Sequence, residues 1–591
     1  MKRTIALGVV LVFVSSAAFA VDYTFSGTKF NEIVLSGTTY GAKWDNTANW
    51  TPLLGLPGTT GDCFLLPSSY TTANRINLPR PAVGATWNFG QITVNGGTLV
   101  VSRSAGTNRW GTLRFAADNG CTGSLVVSGA NSGATQYNNG NVGAGAVFDM
   151  DGDINVNPAA ATGIFNGSTI LMRGTGKSYF VKTYSRNYNA TDNVVVMEGA
   201  SINFNTTNTS YNNIRTLDIR GTATGEASVC LDPKQRVFLG ASADVSGMNI
   251  YVDGTNRQDG AGKLVAPYYY VTGPFLSGRW QDVHFAQLTY LNAADNMIIL
   301  GKMTGALRAR TLTIGNYASG GSTRGVQYTL DTDNIGGTYN ITTDCDLILG
   351  PTTNTYLYRG ILKANSATVD VGRDLTFNEG GAMGSYLTAT TATIRVGRHF
   401  LVDCGTKTIN DGWDAGNSTF IFDGNGGQYA AECITSRQVP FYNVEINNPG
   451  GTVTLADNLL LKGDFHLAAG TLNPATYYIN FQGGIDCETL AQEIDVDTGA
   501  ALKKVRIVAG SSTFVKLMSD LTVSDNLDID TGCKLFLNGF TLTAEGQTIT
   551  ETTPWDQGEI VGAAIPEPAT LLLLGTGALG VLGYVRRRRM I

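Results

Sequence analysis

The chain has 591 residues, 15% of them charged and 73 of them glycine. An average soluble protein has about 25% charged residues, so this composition excludes long charged helices and favours short strands joined by turns. A chain of this length exceeds what one hydrophobic core supports, so we expect several domains or one elongated repeat structure.

The N-terminus has the order of parts of a secretory signal peptide. Lys2 and Arg3 precede the apolar run Ile5–Val14, and Ala18 and Ala20 form a small-x-small cleavage site. This order predicts export and removal of the segment by signal peptidase. A buried helix would not need the charges and the cleavage site together.

The body of the chain contains short segments that resemble one another. Residues 367–377 (ATVDVGRDLTF) align with residues 392–402 (ATIRVGRHFLV) at an offset of 25, with Val-Gly-Arg over Val-Gly-Arg. Residues 452–472 align with residues 513–535 at an offset of 62, which places Leu459 over Leu521 and Phe465 over Leu527. Within each segment apolar and polar residues alternate over short stretches, which predicts strands.

Repeats of about 20 to 30 residues without helical crossovers are typical of coils that stack on one another. We therefore predict an all-β fold, a right-handed parallel β-helix or solenoid of irregular repeats. A row of antiparallel β-sandwiches is the alternative, because it also produces regular short strands. The repeats lack a series of Asn-Gly or Asp-Gly hairpin turns, which favours the solenoid.

Two segments resemble secreted bacterial proteins with β-solenoid, autotransporter-like repeats. Residues 42–67 are similar to an N-terminal opening of such proteins in Trp44, Asn49, Trp50, Pro57, Gly61 and Asp62. Two tryptophans give a large apolar cover for the first coil, and we favour this role over a platform for stacking sugars. Residues 418–455 are similar to a β-helical repeat segment of surface proteins in Phe422, Gly424, Gln428, Phe441, Asn443, Val444 and Ile446.

The C-terminus places a Pro-Glu-Pro tripeptide, an apolar run and a basic cluster in succession. Residues 569–585 contain no charge, and as a helix these 17 residues would reach about 25 Å, a short but sufficient span. The arginines that follow would stay on the cytoplasmic side of the membrane. The two prolines would separate the folded body from the span.

These parts resemble the PEP-CTERM sorting signal of Gram-negative bacteria. The resemblance implies a recognition motif at Pro566, Glu567 and Pro568, a transmembrane helix at Leu571–Val585, and a cytoplasmic stop at Arg586, Arg587, Arg588 and Arg589. It also implies anchoring in the inner membrane, processing by an exosortase-type enzyme, and association with exopolysaccharide. The alternative from hydropathy alone is an ordinary membrane anchor, which has no need for the tripeptide.

The predicted organisation has four parts. They are a signal peptide at 1–20, an N-terminal β-solenoid region with a Trp-rich cap at 21–300, C-terminal β-solenoid repeats at 301–562, and a sorting segment at 563–591. Removing the signal peptide and everything after Pro568 removes six of 41 basic residues and none of 47 acidic ones, so the charge becomes 35 − 47 = −12. This charge disfavours binding to nucleic acid.

One acidic segment could bind a metal. Asp149, Asp151 and Asp153 alternate, so on an extended strand their carboxylates would share one side and could hold calcium. The EF-hand pattern is not met, because Ile154 stands where glycine is required and Ala160 where glutamate should be. A solvated acidic turn is the favoured interpretation, with calcium as the weak alternative and no other cofactor predicted.

No catalytic motif emerges elsewhere. The three histidines, His284, His399 and His466, lie in strand-like stretches outside any HExxH or G-x-S-x-G context. Other spaced aspartates are equally non-specific: Asp331 with Asp333, and Asp525 with Asp528 and Asp530. The aromatic stretch 266–285 is either a sugar-binding face or a packed coil corner, and packing is favoured.

The eight cysteines contain no CxxC pair and no zinc pattern. Export permits disulfides, and we expect most of the cysteines to be small buried side chains, with Cys404 and Cys433 as the first pair to test.

Two function hypotheses follow. The first is a non-enzymatic structural or adhesive protein of the cell surface or extracellular matrix. The second is a secreted β-helical carbohydrate-active enzyme, a polysaccharide lyase or hydrolase. An enzyme should show a local cluster of catalytic residues that breaks the repeat, and none stands above background, so the first is favoured.

Overall fold

The computed structural model describes residues 22–561 with interruptions, the longest of which are 28–33, 52–61, 103–110, 138–145, 182–191, 206–212, 254–269, 287–296, 316–325, 352–357, 404–412, 484–490 and 550–558. It is 64% strand and 2% helix, and its strands stack in parallel as a β-solenoid of about 14 turns. The all-β solenoid prediction is confirmed, and the alternative of antiparallel sandwiches is wrong. The right hand of the solenoid stays a prediction, and the predicted signal peptide and sorting segment lie outside the described residues.

The described residues fall into two compact units. The first unit contains the residues up to Ala266, except for Leu231–Gln235 and Val252–Thr255. The second unit contains those two segments together with Pro267 and the residues that follow it. The sequence-based division at residue 300 falls inside the strand Met297–Lys302 of the second unit.

The first unit stacks its strands in three columns. One column contains Thr86–Phe89, Thr112–Phe115, Val147–Met150, Thr169–Met172, Asp192–Val196, Asn213–Ile219 and Val237–Leu239. The second contains Asp22–Phe25, Cys63–Leu66, Gln91–Ser102, Ser124–Tyr137, Ile154–Val156, Lys177–Val181, Ser201–Phe204, Thr222–Cys230 and Asp244–Asp253. The third runs through Ala42–Lys43, Arg75–Asn77, the later parts of Gln91–Ser102 and Ser124–Tyr137, and Ala160–Thr162.

The second unit has one long column and shorter ones beside it. The long column contains Gly278–Phe285, Leu307–Ile314, Ile341–Thr343, Thr368–Val371, Thr393–Val396, Thr419–Phe422, Asn443–Leu455, Phe465–Asn473, Gln492–Val496, Phe514–Leu517, Lys534–Phe536 and Glu559–Val561. Beside it lie Leu347–Leu349, Asp374–Gly380, His399–Asp403 and Ala431–Thr435. Two further sheets contain Tyr270–Pro274, Met297–Lys302, Val326–Asp331, Tyr358–Asn365 and Tyr386–Ala389, and then Pro440–Phe441, Leu459–Leu461, Ile479–Phe481, Leu502–Ile507, Leu521–Ile529, Leu542–Ala544 and Gln547–Ile549.

Alternating side chains build the core, because every second residue of a strand points inward. In register, the inward residues of the long column lie on one another from coil to coil: Leu307, Ile341, Val369, Ile394, Phe420, Val444, Phe465, Ile494 and Leu517. All are at most 1% exposed. Burying each such side chain stabilises the stack by about 1.5–3 kcal/mol, and each coil covers the next.

Aromatic side chains continue these columns. In the first unit the ring of Phe115 lies 5.2 Å from that of Phe89 and 6.5 Å from that of Phe148. In the second, Trp413 and Phe441 lie 6.2 Å apart, each beside Phe400. Such pairs add about 0.5–1.5 kcal/mol to the burial of their area.

The two internal repeats have different outcomes. The offset of 25 corresponds to one step between neighbouring coils, since Val371 pairs in register with Val396. The offset of 62 is not, because Phe465 lies in the long column while Leu527 lies in the seven-stranded sheet. Register through two intervening strands places Leu527, rather than Leu521, over Leu459. The leucine spacing recurs in these coils without marking equivalent positions.

Candidate functional site

The two Val-Gly-Arg repeats form one corner of successive coils in the second unit. Val371 and Val396 are buried in the core. The glycines lie where successive coils approach each other closely: a Cβ built on Gly397 would lie 2.3 Å from the carbonyl oxygen of Gly372. A larger residue would therefore push the two coils apart.

The arginines of these repeats join one coil to the previous one. Arg373 donates from Nε to Asp346 Oδ1 at 2.7 Å and from Nη2 to Oδ2. Arg398 donates in the same way to Asp374, with its Nε 2.8 Å from Oδ1. Both pairs are bidentate, the geometry in which arginine binds carboxylate best. We call this series of pairs the arginine ladder.

Each arginine of the ladder neutralises an outward aspartate of the previous coil. The hydrogen bonds to aspartate raise the pKa values of Arg373 and Arg398, so both stay charged. Further arginine–aspartate pairs between strands extend the pattern: Arg310 with Asp282, Arg308 with Asp344 and Arg395 with Asp423. In each of these pairs the arginine and the aspartate satisfy one another's charge.

Arginines also hold the acidic segment that could have bound calcium. Arg114 Nη2 lies 2.5 Å from Asp151 Oδ2, and Arg173 Nε lies 2.5 Å from Asp149 Oδ1. Asp153 Oδ1 accepts a hydrogen bond of 2.7 Å from a backbone N–H of the next coil. The three carboxylates do not converge on one point as metal ligands would.

The other spaced aspartates are also partnered. Asp331 accepts from Asn365 Nδ2 at 2.9 Å, and Asp333 accepts from Thr338. In the last coils the pairs are Lys504 with Asp525, and Arg506 with both Asp528 and Asp530.

The three histidines occupy different environments. His284 and His399 both have pKa values lowered by burial, so they are neutral at pH 7. Asp282 opposes this shift at His284 and Asp374 opposes it at His399. His466 is 36% exposed and lies 2.9 Å from Asp497.

The aromatic stretch is chiefly a packed corner. Trp280 is 2% and Phe275 3% exposed, and Trp280 Nε1 donates to the carbonyl of Ser277 at 2.9 Å. The ring of Phe275 packs against that of Phe285, with centroids 4.7 Å apart and a tilt of 53° between the rings. Tyr270 is 56% exposed, so one described aromatic ring of the stretch is open to solvent. A buried Trp280 cannot stack on a sugar, which agrees with the packing interpretation.

The cap residues lie at the start of the first unit. Trp44, Pro57, Gly61 and the side chain of Trp50 are outside the described residues. The backbone of Trp50 pairs antiparallel with Phe25, on the edge of the first parallel pair of strands. Asn49 and Asp62 are each 3% exposed. An antiparallel strand therefore pairs with this edge, and the apolar cover by the two tryptophan side chains stays a prediction.

The cysteines differ from the pairing that we expected. Cys63 and Cys121 form a disulfide across 58 residues. Cys433 is a free thiol, so it does not form the disulfide with Cys404 that we named as the first to test; Cys404 itself lies outside the described residues. Cys533 is buried, as expected of a small apolar side chain.

A buried carboxyl group in the strand Ala431–Thr435 was not foreseen from the sequence. Glu432 is 2% exposed, and its Oε1 accepts the N–H of Gly424. Its Oε2 and the Oδ1 of Asn448, which is fully buried, have no hydrogen-bond partner in the described part of the chain. Burial raises the pKa of Glu432 to about 8; the Gly424 N–H opposes the rise and the charge of Asp423 adds to it.

Fold and surface together define a parallel β-solenoid whose outward arginines and aspartates pair between coils. The C-terminus matches the PEP-CTERM protein-sorting motif over residues 564–589. This motif implies an exported protein that is anchored in the membrane before an exosortase-type enzyme processes it. No curated protein and no solved structure matches the chain.

The predicted sorting residues Pro566, Glu567 and Pro568 lie within the matched segment, as do Arg586 to Arg589. These residues, and the predicted cleavage site at Ala18 and Ala20, are outside the described part of the chain. Among the described residues there is no helix long and apolar enough to cross a membrane.

Proposed function

We propose that this protein is a non-enzymatic structural or adhesive component of the cell surface or extracellular matrix, associated with exopolysaccharide. The sorting motif at 564–589 carries the proposal, because it places the chain on an export route with membrane anchoring before processing. Release by cleavage near the tripeptide would then deliver the solenoid to the cell exterior.

The surface chemistry supports a structural role. The arginine ladder binds its aspartates between coils, so these carboxylates are not available as general acids or bases. Glu432 has the raised pKa that a catalytic acid needs, but it is 2% exposed and a polysaccharide could not reach it. These features favour the structural role over the carbohydrate-active enzyme.

The sorting step is tested by the mass of the C-terminal peptide of the native protein. Replacing Pro566, Glu567 and Pro568 with alanine should leave the chain uncut, ending at Ile591 and in the membrane fraction, while the unmodified chain ends near Pro568. The matched control replaces residues 551–553 with alanine and should be processed normally. An unmodified chain that still ends at Ile591 would show a permanent anchor and overturn the proposal.

The non-enzymatic role is tested with exopolysaccharide from the producing cells. The purified native protein should co-sediment with the polymer and leave its length distribution unchanged. Shortened chains or new reducing ends, formed in proportion to the added protein, would instead establish the lyase or hydrolase alternative.

A further inference from the structure

Two side chains on neighbouring strands and one in the turn that follows bring one nitrogen and two carboxylate oxygens together on the surface of the second unit. His466 Nε2 lies 2.9 Å from Asp497 Oδ2 and 3.9 Å from Asp495 Oδ2. The three ligand atoms all lie within 4.8 Å of one another, and this is the one such group among the described histidines, cysteines and acidic residues. We call it the His466 group.

The parallel register produces this arrangement. His466 pairs with Asp495 on the following coil, and both are outward positions between buried neighbours of their strands. Asp497 follows directly after the end of the strand Gln492–Val496, and there its carboxylate meets the same imidazole ring. Glu445 pairs with His466 from the preceding coil, which adds a further carboxylate to the same outward column.

The His466 group departs from the charge pairing seen along the arginine ladder. In the ladder an outward aspartate is met by an arginine of the next coil. Asp495 and Asp497 are met by His466 instead, and no described lysine or arginine forms an ion pair with either. The two carboxylates therefore share one imidazole ring, whose nitrogen is a common ligand of transition metals.

We propose that His466, Asp495 and Asp497 bind one divalent first-row cation of the zinc class. Zinc takes imidazole nitrogen at about 2.0–2.1 Å and carboxylate oxygen at about 2.0–2.2 Å in tetrahedral geometry, which sets ligand atoms about 3.4 Å apart. The observed separations of 2.9 and 3.9 Å lie on either side of this value. Small side-chain rotations would equalise them.

The donor set selects zinc over calcium. Calcium takes six to eight oxygen ligands, whereas one imidazole nitrogen with two carboxylates suits zinc. Three protein ligands leave a fourth position for water, and the 58% exposure of Asp497 leaves that side of the group open to solvent.

Equilibrium dialysis of zinc against the tag-free full-length protein tests this site. We expect the His466→Ala variant to bind one zinc fewer per chain and Asp497→Asn to bind that zinc at least tenfold more weakly. Asp525→Asn is the matched control, because Asp525 is also 58% exposed but pairs with Lys504. It should bind as the unmodified protein does.

Cobalt spectra separate this site from the free thiols. Tetrahedral cobalt on nitrogen and oxygen ligands should give visible bands without a thiolate charge-transfer band, and His466→Ala should remove those bands. Equal zinc binding by His466→Ala and the unmodified protein would overturn the proposal, as would calcium competing with zinc at equal concentration. His466 and Asp497 are partly exposed, and unchanged far-ultraviolet circular dichroism checks that both variants fold.

Discussion

Replacing Glu432 with glutamine should remove a pH dependence from the stability of the second unit. The carboxyl group is 2% exposed, and one of its oxygens has no described partner. Burial raises its pKa from 4.5 to about 8. Glutamine keeps the shape and the acceptor for the Gly424 N–H, but it cannot ionise.

The raised pKa fixes the direction of the effect. Between pH 4.5 and about 8 the folded form holds the proton that the unfolded form has lost, so unfolding releases a proton and the free energy of unfolding falls as pH rises. The contribution is fully present below pH 4.5 and is lost above about pH 8. A shift from 4.5 to about 8 corresponds to at most about 5 kcal/mol at 1.36 kcal/mol per unit, and the step from pH 6 to pH 8 to about 3 kcal/mol.

Hydrogen exchange with mass spectrometry can measure this effect locally, which matters because stacked coils need not unfold as one unit. Peptides covering residues 419–455 should lose about a hundredfold in protection between pH 6 and pH 8, after correction for the intrinsic exchange rate. In the Glu432→Gln variant the same peptides should keep their protection. Glu493→Gln is the control, because Glu493 is 40% exposed and pairs with Lys516 at 3.0 Å.

One result would refute this reasoning. If the unmodified protein and Glu432→Gln show the same change in protection between pH 6 and pH 8, the carboxyl group does not hold a proton in the folded state. The buried oxygens of Glu432 and Asn448 would then have to be satisfied by water or by a cation instead.

Three further predictions follow from the coil contacts. Arg398→Lys should lower the free energy of unfolding by about 1 kcal/mol in urea titration, because lysine cannot bind Asp374 through two parallel hydrogen bonds. An unchanged urea midpoint would show that the two hydrogen bonds add nothing to stability. Gly397→Ala should lower it by about 1–3 kcal/mol, because the new methyl group would meet a backbone carbonyl at 2.3 Å, and a variant as stable as the parent would contradict the close approach. Cys63→Ala, which opens the disulfide to Cys121 across 58 residues, should destabilise the first unit by about 4 kcal/mol; equal thermal unfolding with and without reductant would contradict this estimate.

The coil architecture could be predicted because local periodicity and coil length are both present in the sequence. The offset of 25 between the Val-Gly-Arg repeats is the true coil register at this corner, since valine, glycine and arginine each meet a fixed requirement there: a core contact, a close approach and a partner on the previous coil. The offset of 62 failed because alternating leucines recur in these coils, and the alternation does not say which sheet a strand joins.

The charged groups could not be placed from spacing alone. Asp149, Asp151 and Asp153 alternate in sequence, but their partners come from neighbouring coils: Arg114 and Arg173 bind the first two, and Ser178 donates to the third. Glu432 pairs in register with Val453 of the following coil, and the Cys63–Cys121 disulfide joins residues of different coils, so both likewise depend on how the coils stack. Register is the missing information, and one wrong coil length shifts every outward pairing that follows.

The stacking itself explains why the surface is neutralised between coils. Strands in register lie about 4.8 Å apart, so a column of unpaired aspartates would repel by about 1 kcal/mol at every step even in water. Repulsion of that size accumulates along a solenoid, and arginines at coil spacing remove it, as Arg373 and Arg398 do. By the same reasoning, we expect the cation proposed at the His466 group to stabilise the stack there, because Asp495 and Asp497 form no ion pair with a described lysine or arginine.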